Sequence, residues 1–226
     1  MSLRPIIGSG INYYQRLDRY ITNEGIKFNI DECLSIQRMK DIIGTNIQLI
    51  GKCKFNDREN NPIKLKKNGE PYAKQSEIIN GQDYEGVLVK FISQNNDIWE
   101  DKNTEGVYFI TFNDKIVKIG MTTTSFCERF SSYICGARRA MGKGSCSTTN
   151  FLICETLYTG LQLGFNVDIY GIPIQKERRN INAYGRDADI SVSVVKAHEE
   201  IITKYYMENN HNRKPPLCVQ VGDDTL

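Results

Sequence analysis

One stretch constrains this chain more than any other. Val107-Tyr108-Phe109-Ile110-Thr111-Phe112 is an almost unbroken run of aromatic and β-branched residues, Asn113 to Lys115 interrupts it, and Ile116 to Ile119 resumes it. Side chains of this kind favour extended backbone, and so short a polar break turns the chain back on itself, so a β-hairpin is expected. The turn decides which side chains meet across it. A three-residue loop pairing Thr111 with Lys115 would set Tyr108 opposite Lys118, and pairing Phe112 with Ile116 would leave the two diagonal on one face. A two-residue Asn113-Asp114 turn would separate them, because one step of register reverses the face.

A helix is expected directly after the hairpin. Gly120 and Thr122 to Thr124 lead to Ser125, whose spacing to Glu128 makes a capping box, and Phe126, Phe130 and Ile134 follow at helical spacing. Val192 to Met207 is expected as the last helix, with Val195, Glu199, Ile202 and Tyr206 on one side. Upstream, Tyr13 to Tyr20 and Glu32 to Ile43 read as helices, the second stopped by Gly44. Asn46 to Phe55 and Val87 to Ile92 read as strands around a polar loop over Asn56 to Pro71. Phe151 to Leu163 fits a strand or a helix, Val167 to Ile174 is extended, and Leu217 to Val221 is a candidate edge element. The polar stretch Ser93 to Asn103 is the best boundary, dividing the chain into 1–103 and 104–226, although Trp99 inside it is expected to pack.

With 226 residues, 40% of them apolar, there is ample material for a core. The net charge of +2, from 29 basic and 27 acidic side chains, creates no global field that selects nucleic acid or a membrane. No apolar run approaches the roughly 20 residues of a membrane span, and Met1 to Gly10 lacks a secretory signal, so a soluble cytoplasmic chain is expected. Seven dispersed cysteines and two histidines, without a close CxxC pair, argue against a disulfide framework and against structural zinc.

Chemistry concentrates around the hairpin. If Tyr108 and Lys118 meet, the ammonium favours the phenolate, which suits a general base. Arg129, in the following helix, is in reach of the same surface and can hold a phosphate through two parallel donors, supplying a fixed counter-charge to a pentacovalent phosphorus. Glu199 or its neighbour Glu200 can bind Mg²⁺ through one carboxylate, with waters and phosphate oxygens as the other ligands. Taken singly, each has a plainer account: strand tyrosines pack, and lone lysines and glutamates are solvated. The combination is what points to phosphodiester chemistry.

Gly106-Val107-Tyr108 and Lys118-Ile119-Gly120, followed in order by Arg129 and Glu199, resemble the GIY-YIG nuclease family, with lysine in place of the usual second tyrosine. The resemblance covers roughly residues 104 to 210. It implies an α+β fold, with a GIY-YIG-like core built on a small central antiparallel β-sheet flanked by helices, plus an N-terminal extension. It also implies Mg²⁺-dependent hydrolysis of double-stranded DNA, with Mn²⁺ as a possible substitute. Tyr108, Lys118, Arg129 and Glu199 would be catalytic, Glu199 holding the metal with Glu200 as the alternative. Tyr133 and His198 would support them, and Glu199, 70 residues beyond Arg129, leaves room for an insertion. Arg138, Arg139 and Lys143 in that insertion, with Lys176, Arg178 and Arg179 beyond it, are candidate DNA contacts. The lysine variant points to a type II restriction enzyme, with a possible homodimer, a possible cognate methyltransferase, and residues 1–103 available for recognition or dimerisation. The alternatives are a homing, repair or mobile-element nuclease, a DNA-binding module without catalysis, or an interaction domain in which these groups never converge.

Overall fold

The computed structural model describes residues 19–22, 25–44, 46–55, 77–79, 82–84, 89–134 and 147–218. The helix expected at Tyr13 to Tyr20, the Asn56 to Pro71 loop, and Arg138, Arg139 and Lys143 lie largely or wholly outside these residues. The chain forms two compact units that interleave in sequence. The first comprises residues 1–29, 53–92 and 130–167, and the second residues 30–52, 93–129 and 168–226. The fold is α+β, with a central antiparallel sheet flanked by helices. No helix among the described residues is long and apolar enough to cross a membrane.

In the first unit, β1 (Ile21–Thr22) pairs with β2 (Gly25–Ile26), β4 (Glu77–Ile79) pairs with β5 (Gln82–Tyr84), and β6 (Val89–Ser93) follows. Helix α4 (Thr148–Gln162) starts at Ser147, whose hydroxyl accepts from the Asn150 N–H at 3.1 Å. That cap settles the open choice for Phe151 to Leu163 in favour of helix. Phe151, Leu152, Ile153, Cys154 and Leu157 are buried. The Phe91 ring meets buried Phe130 at 5.0 Å between centroids, and exposed Phe55 meets Tyr158 at 5.7 Å.

The second unit holds the hairpin. Its strands run in the order β3 (Gln48–Phe55), β9 (Val167–Ile174), β7 (Glu105–Phe112), β8 (Lys115–Thr122), so β8 is an edge strand. Helix α1 (Ile36–Ile43) begins later than the apolar pattern alone indicates. The Ser35 hydroxyl caps it by accepting from the Arg38 N–H, and Leu34 is committed elsewhere, its carbonyl accepting from the Ile116 N–H at 2.8 Å. Gly44 ends the helix at φ 59°, a left-handed position that favours glycine. The one-turn helix α2 (Asn96–Trp99) buries Trp99 as expected, against Gly51, where a Cβ would collide with the indole.

Helix α5 (Val195–Glu208) starts three residues after the expected Val192. Its Val195, Ile202 and Tyr206 join Ile36 and Met39 of α1 in covering the sheet face that carries Val107, Phe109 and Ile119. The opposite face carries Gly106, Tyr108 and Gly120. Helix α3 (Phe126–Ile134), capped by the Ser125 hydroxyl, brings Phe126 to Gly106 and Gly171 on this face; a Cβ on Gly106 would strike its ring, and one on Gly171 would strike Ile50. Residues 177–192 form a separate hairpin, β10 (Glu177–Ala183) with β11 (Arg186–Val192), which the hydrophobic pattern does not assign.

Candidate active site

The site begins with the hairpin register. The turn is the two-residue form, Asn113 and Asp114 at φ 47° and 75°, with Phe112 paired to Lys115 and Thr111 to Ile116. Continued regularly, that register would turn Lys118 away from Tyr108. It does not continue: Ile110 pairs with Lys118, which leaves Val117 as an extra residue in a β-bulge. Beyond the bulge Tyr108 pairs with Gly120, so Tyr108 and Lys118 are diagonal neighbours on one face. The bulge therefore restores the shared face that the tight turn alone removes. Gly120 matters at this pairing, because a Cβ there would overlap the Tyr108 hydroxyl.

Tyr108 is 0% exposed. Its oxygen accepts a hydrogen bond from Arg129 Nε at 3.1 Å, and the guanidinium carbon lies 5.8 Å from the ring centroid. Arg129 can aim there because Ser125 starts α3 immediately after the hairpin and places Arg129 in its first turn. Lys118 is 8% exposed, and its ammonium donates to the Leu217 carbonyl at 3.1 Å. Among the described residues, Arg129 donates to the Tyr108 oxygen while Lys118 donates to Leu217.

Glu199 comes from α5, on the other face of the sheet, and joins the group at edge strand β8. It is half-buried and its carboxyl is held above the usual carboxylate range. Burial is the main cause; Lys118 and Arg129 oppose it, while neighbouring Glu200 adds to it. Glu200 is exposed and ion-paired to Lys196 at 3.8 Å, whereas Glu199 is half-buried. A cavity of about 380 Å³ beside both glutamates is lined by Lys118, Ile119, Glu199, Glu200, Thr203 and Cys218, among others.

His198 points elsewhere, into a groove with Ile201, Ile202 and Tyr205. Tyr133 is buried with its ring edge-on to Phe130, 5.7 Å between centroids. Of the other expected DNA contacts, Lys176 is 3.6 Å from the buried Glu105 carboxylate, and Arg179 pairs with Glu177 at 2.8 Å. Arg178 and Arg186 are exposed and make no ion pair among the described residues. The β10–β11 hairpin that carries these arginines is not among the elements expected from the sequence. Its signal is Tyr184-Gly185, a two-residue turn at φ 54° and 74° between strands that alternate less clearly than β7 and β8.

Among the described residues no three His, Cys, Asp or Glu side chains form a metal cage. Glu199 still fits a hard cation that takes one carboxylate and completes its shell with water and phosphate oxygens. A cation would also favour the ionised form of a carboxyl whose burial otherwise disfavours it.

No protein-family model matches the chain, and no curated protein does. Solved structures similar to it include two nucleases. One is the restriction endonuclease HPY188I in complex with product DNA, 22% identical over 98% of this chain and 98% of that one, with a TM-score of 0.43. The other is a mutant of bacteriophage T4 EndoII, 18% identical over 82% of this chain and 99% of that one, with a TM-score of 0.39. Neither adds a residue or a role to the geometry above.

Proposed function

We propose that this chain is a Mg²⁺-dependent endonuclease that hydrolyses double-stranded DNA, in the manner of a GIY-YIG nuclease and most simply as a type II restriction enzyme. The carrying observation is the hydrogen bond from Arg129 Nε to the Tyr108 oxygen at 3.1 Å, beside a half-buried Glu199 under the influence of Lys118 and Arg129. A phenol oxygen, two cations and a carboxylate around one edge of a sheet match the needs of phosphodiester hydrolysis.

In this reading Tyr108 is the base: its oxygen takes a proton from water, and the water oxygen attacks phosphorus as the bond to the leaving 3′-oxygen breaks. Arg129 holds the phenol oxygen and carries positive charge toward the phosphoryl oxygens, where negative charge accumulates. Glu199 is the donor that would hold Mg²⁺ or Mn²⁺, whose chemistry there is stabilisation of charge on the leaving oxygen. Exposed Arg178, with Lys176 and Arg179, offers phosphate contacts outside the centre. A homodimer would bring two such centres to a symmetric duplex, and a companion methyltransferase would protect the host's own sites.

The test is digestion of a complex DNA library with Mg²⁺ and with chelator, followed by sequencing of the ends. Metal-dependent cuts at a short recurring site, blocked by methylation, are expected. Tyr108→Phe, Arg129→Ala and Glu199→Ala should each remain folded and bind DNA while losing cleavage by about 100-fold or more. Near-normal cleavage by Tyr108→Phe would reject the base. A second reading, DNA binding without cleavage, draws on the full burial of Tyr108; it predicts retention of duplex DNA with no new ends.

A further inference from the structure

The last described residues of the chain lie along the free edge of β8. Leu217 N–H donates to the Val117 carbonyl at 2.8 Å, on the bulged residue itself. The Cys218 thiol is 3.2 Å from both the Ile119 nitrogen and the Ile119 oxygen, accepting from one and donating to the other. Between these two anchors the Leu217 carbonyl accepts from the Lys118 ammonium. Leu217 is fully buried. An edge strand needs its outward N–H and C=O groups satisfied, and this segment supplies that cover. It does more than cover, because it spends a carbonyl on a side chain. An ammonium so nearly buried has to be hydrogen-bonded to stay there, and Leu217 is its hydrogen-bond acceptor among the described residues.

We propose that Pro215–Cys218 is a positioning element of the active site, in which the Leu217 carbonyl, seated by its own N–H on the Val117 bulge, holds the Lys118 ammonium at the edge of the sheet beside the Glu199 cavity. This rests on the nuclease reading above for its consequence in cleavage, but not for the contact itself. The segment acts through Lys118 and touches no substrate. Its effect passes through backbone atoms, so the identity of the side chain at 217 matters for packing and not for rate.

The experiment compares full-length protein with chains ending at Cys218 and at Pro216, by single-turnover cleavage, DNA affinity and the side-chain ¹⁵N signal of Lys118. The chain ending at Cys218 should cleave like full-length protein. The chain ending at Pro216 should lose about tenfold or more in rate with affinity within about twofold, and its Lys118 ammonium should lose its protection from solvent exchange. In a Lys118→Met background the same truncation should cost nothing further, whereas additive losses would mean a purely structural role and overturn the proposal. Full activity in a folded chain ending at Pro216, or equal losses in both truncations, would overturn it as well. Should the shorter chain not fold, full-length Leu217→Pro decides, because it removes the N–H that seats the carbonyl on Val117. A folded variant that cleaves about tenfold more slowly with an unprotected Lys118 ammonium is expected, and one with full rate and a protected ammonium would refute the proposal. If full-length protein does not cut DNA at all, the nuclease reading fails, and the Lys118 exchange measurement alone supports or refutes the strap.

Discussion

The second unit contains two hairpins built on the same plan with opposite fates. β7–β8 and β10–β11 each turn through two residues at positive φ, Asn113-Asp114 and Tyr184-Gly185, and each carries seven paired positions. Every residue of β7 is buried, whereas β10 and β11 are exposed except for partly covered Ala183 and Val192. Turn chemistry makes either one a hairpin; side-chain composition decides what it is for. Glu-Gly-Val-Tyr-Phe-Ile-Thr-Phe has apolar groups on both faces and is covered from both sides, by α1 and α5 on one and by Phe126 on the other. Glu-Arg-Arg-Asn-Ile-Asn-Ala has too little to bury, and ties its polar groups across the ribbon instead, Asn180 to Asp189 at 3.0 Å and Asn182 to Asp187 at 2.7 Å. The buried hairpin can hold a phenol and a lysine in fixed relation. The exposed one can present arginines to a partner without disturbing that relation.

The sharpest break between them should be in stability. Phe109→Ala is expected to cost about 3–5 kcal/mol, while Ile190→Ala in the ribbon should stay within about 0.5 kcal/mol, both read from denaturant midpoints. Comparable costs would mean that the ribbon is packed against something in solution. Next in size is DNA affinity. Arg178→Ala with Arg179→Ala should weaken binding by about tenfold at low salt and flatten its salt dependence, with the rate at saturating DNA unchanged. A fall in that rate matching Tyr108→Phe would place the ribbon in the chemistry and dissolve the division of labour.

The smallest effect concerns the carboxyl beside the buried hairpin. Burial raises the Glu199 pKa, so its contribution to folding is fullest in acid, below the ordinary carboxylate range, and is lost as pH rises through the raised value. Glu199→Gln has no charge to bury. In metal-free buffer it should therefore melt at a slightly higher temperature than the parent protein near neutral pH, with the gap closing in acid. A gap independent of pH would show that ionisation of Glu199 is not its source.

Much of the fold is legible in the order of residues along the chain. The hairpin at 105–122, Ser125 as a helix cap, Gly44 as a stop, the buried Trp99, and the shared face of Val195, Ile202 and Tyr206 all follow from local rules. The late start of α1 does not, because Leu34 and Ser35 are drawn into contact with Ile116 and Lys115 across the hairpin. The ribbon at 177–192 escapes the same rules because its alternation is mostly polar with polar, and hydrophobic period carries the signal for strands.

Lys118 marks the line between the two kinds of information. By itself, the sequence determined that a tyrosine, a lysine and an arginine would sit in or next to one hairpin, since strand propensity, turn residues and helix caps act within a few positions of the chain. Whether the lysine shares the tyrosine's face was decided by the bulge at Val117, which changes register by one residue and therefore changes side. Which partner its ammonium takes was decided by Leu217, 99 residues away in the chain. Contacts of that span exist only once the sheet has formed and its open edge needs a partner.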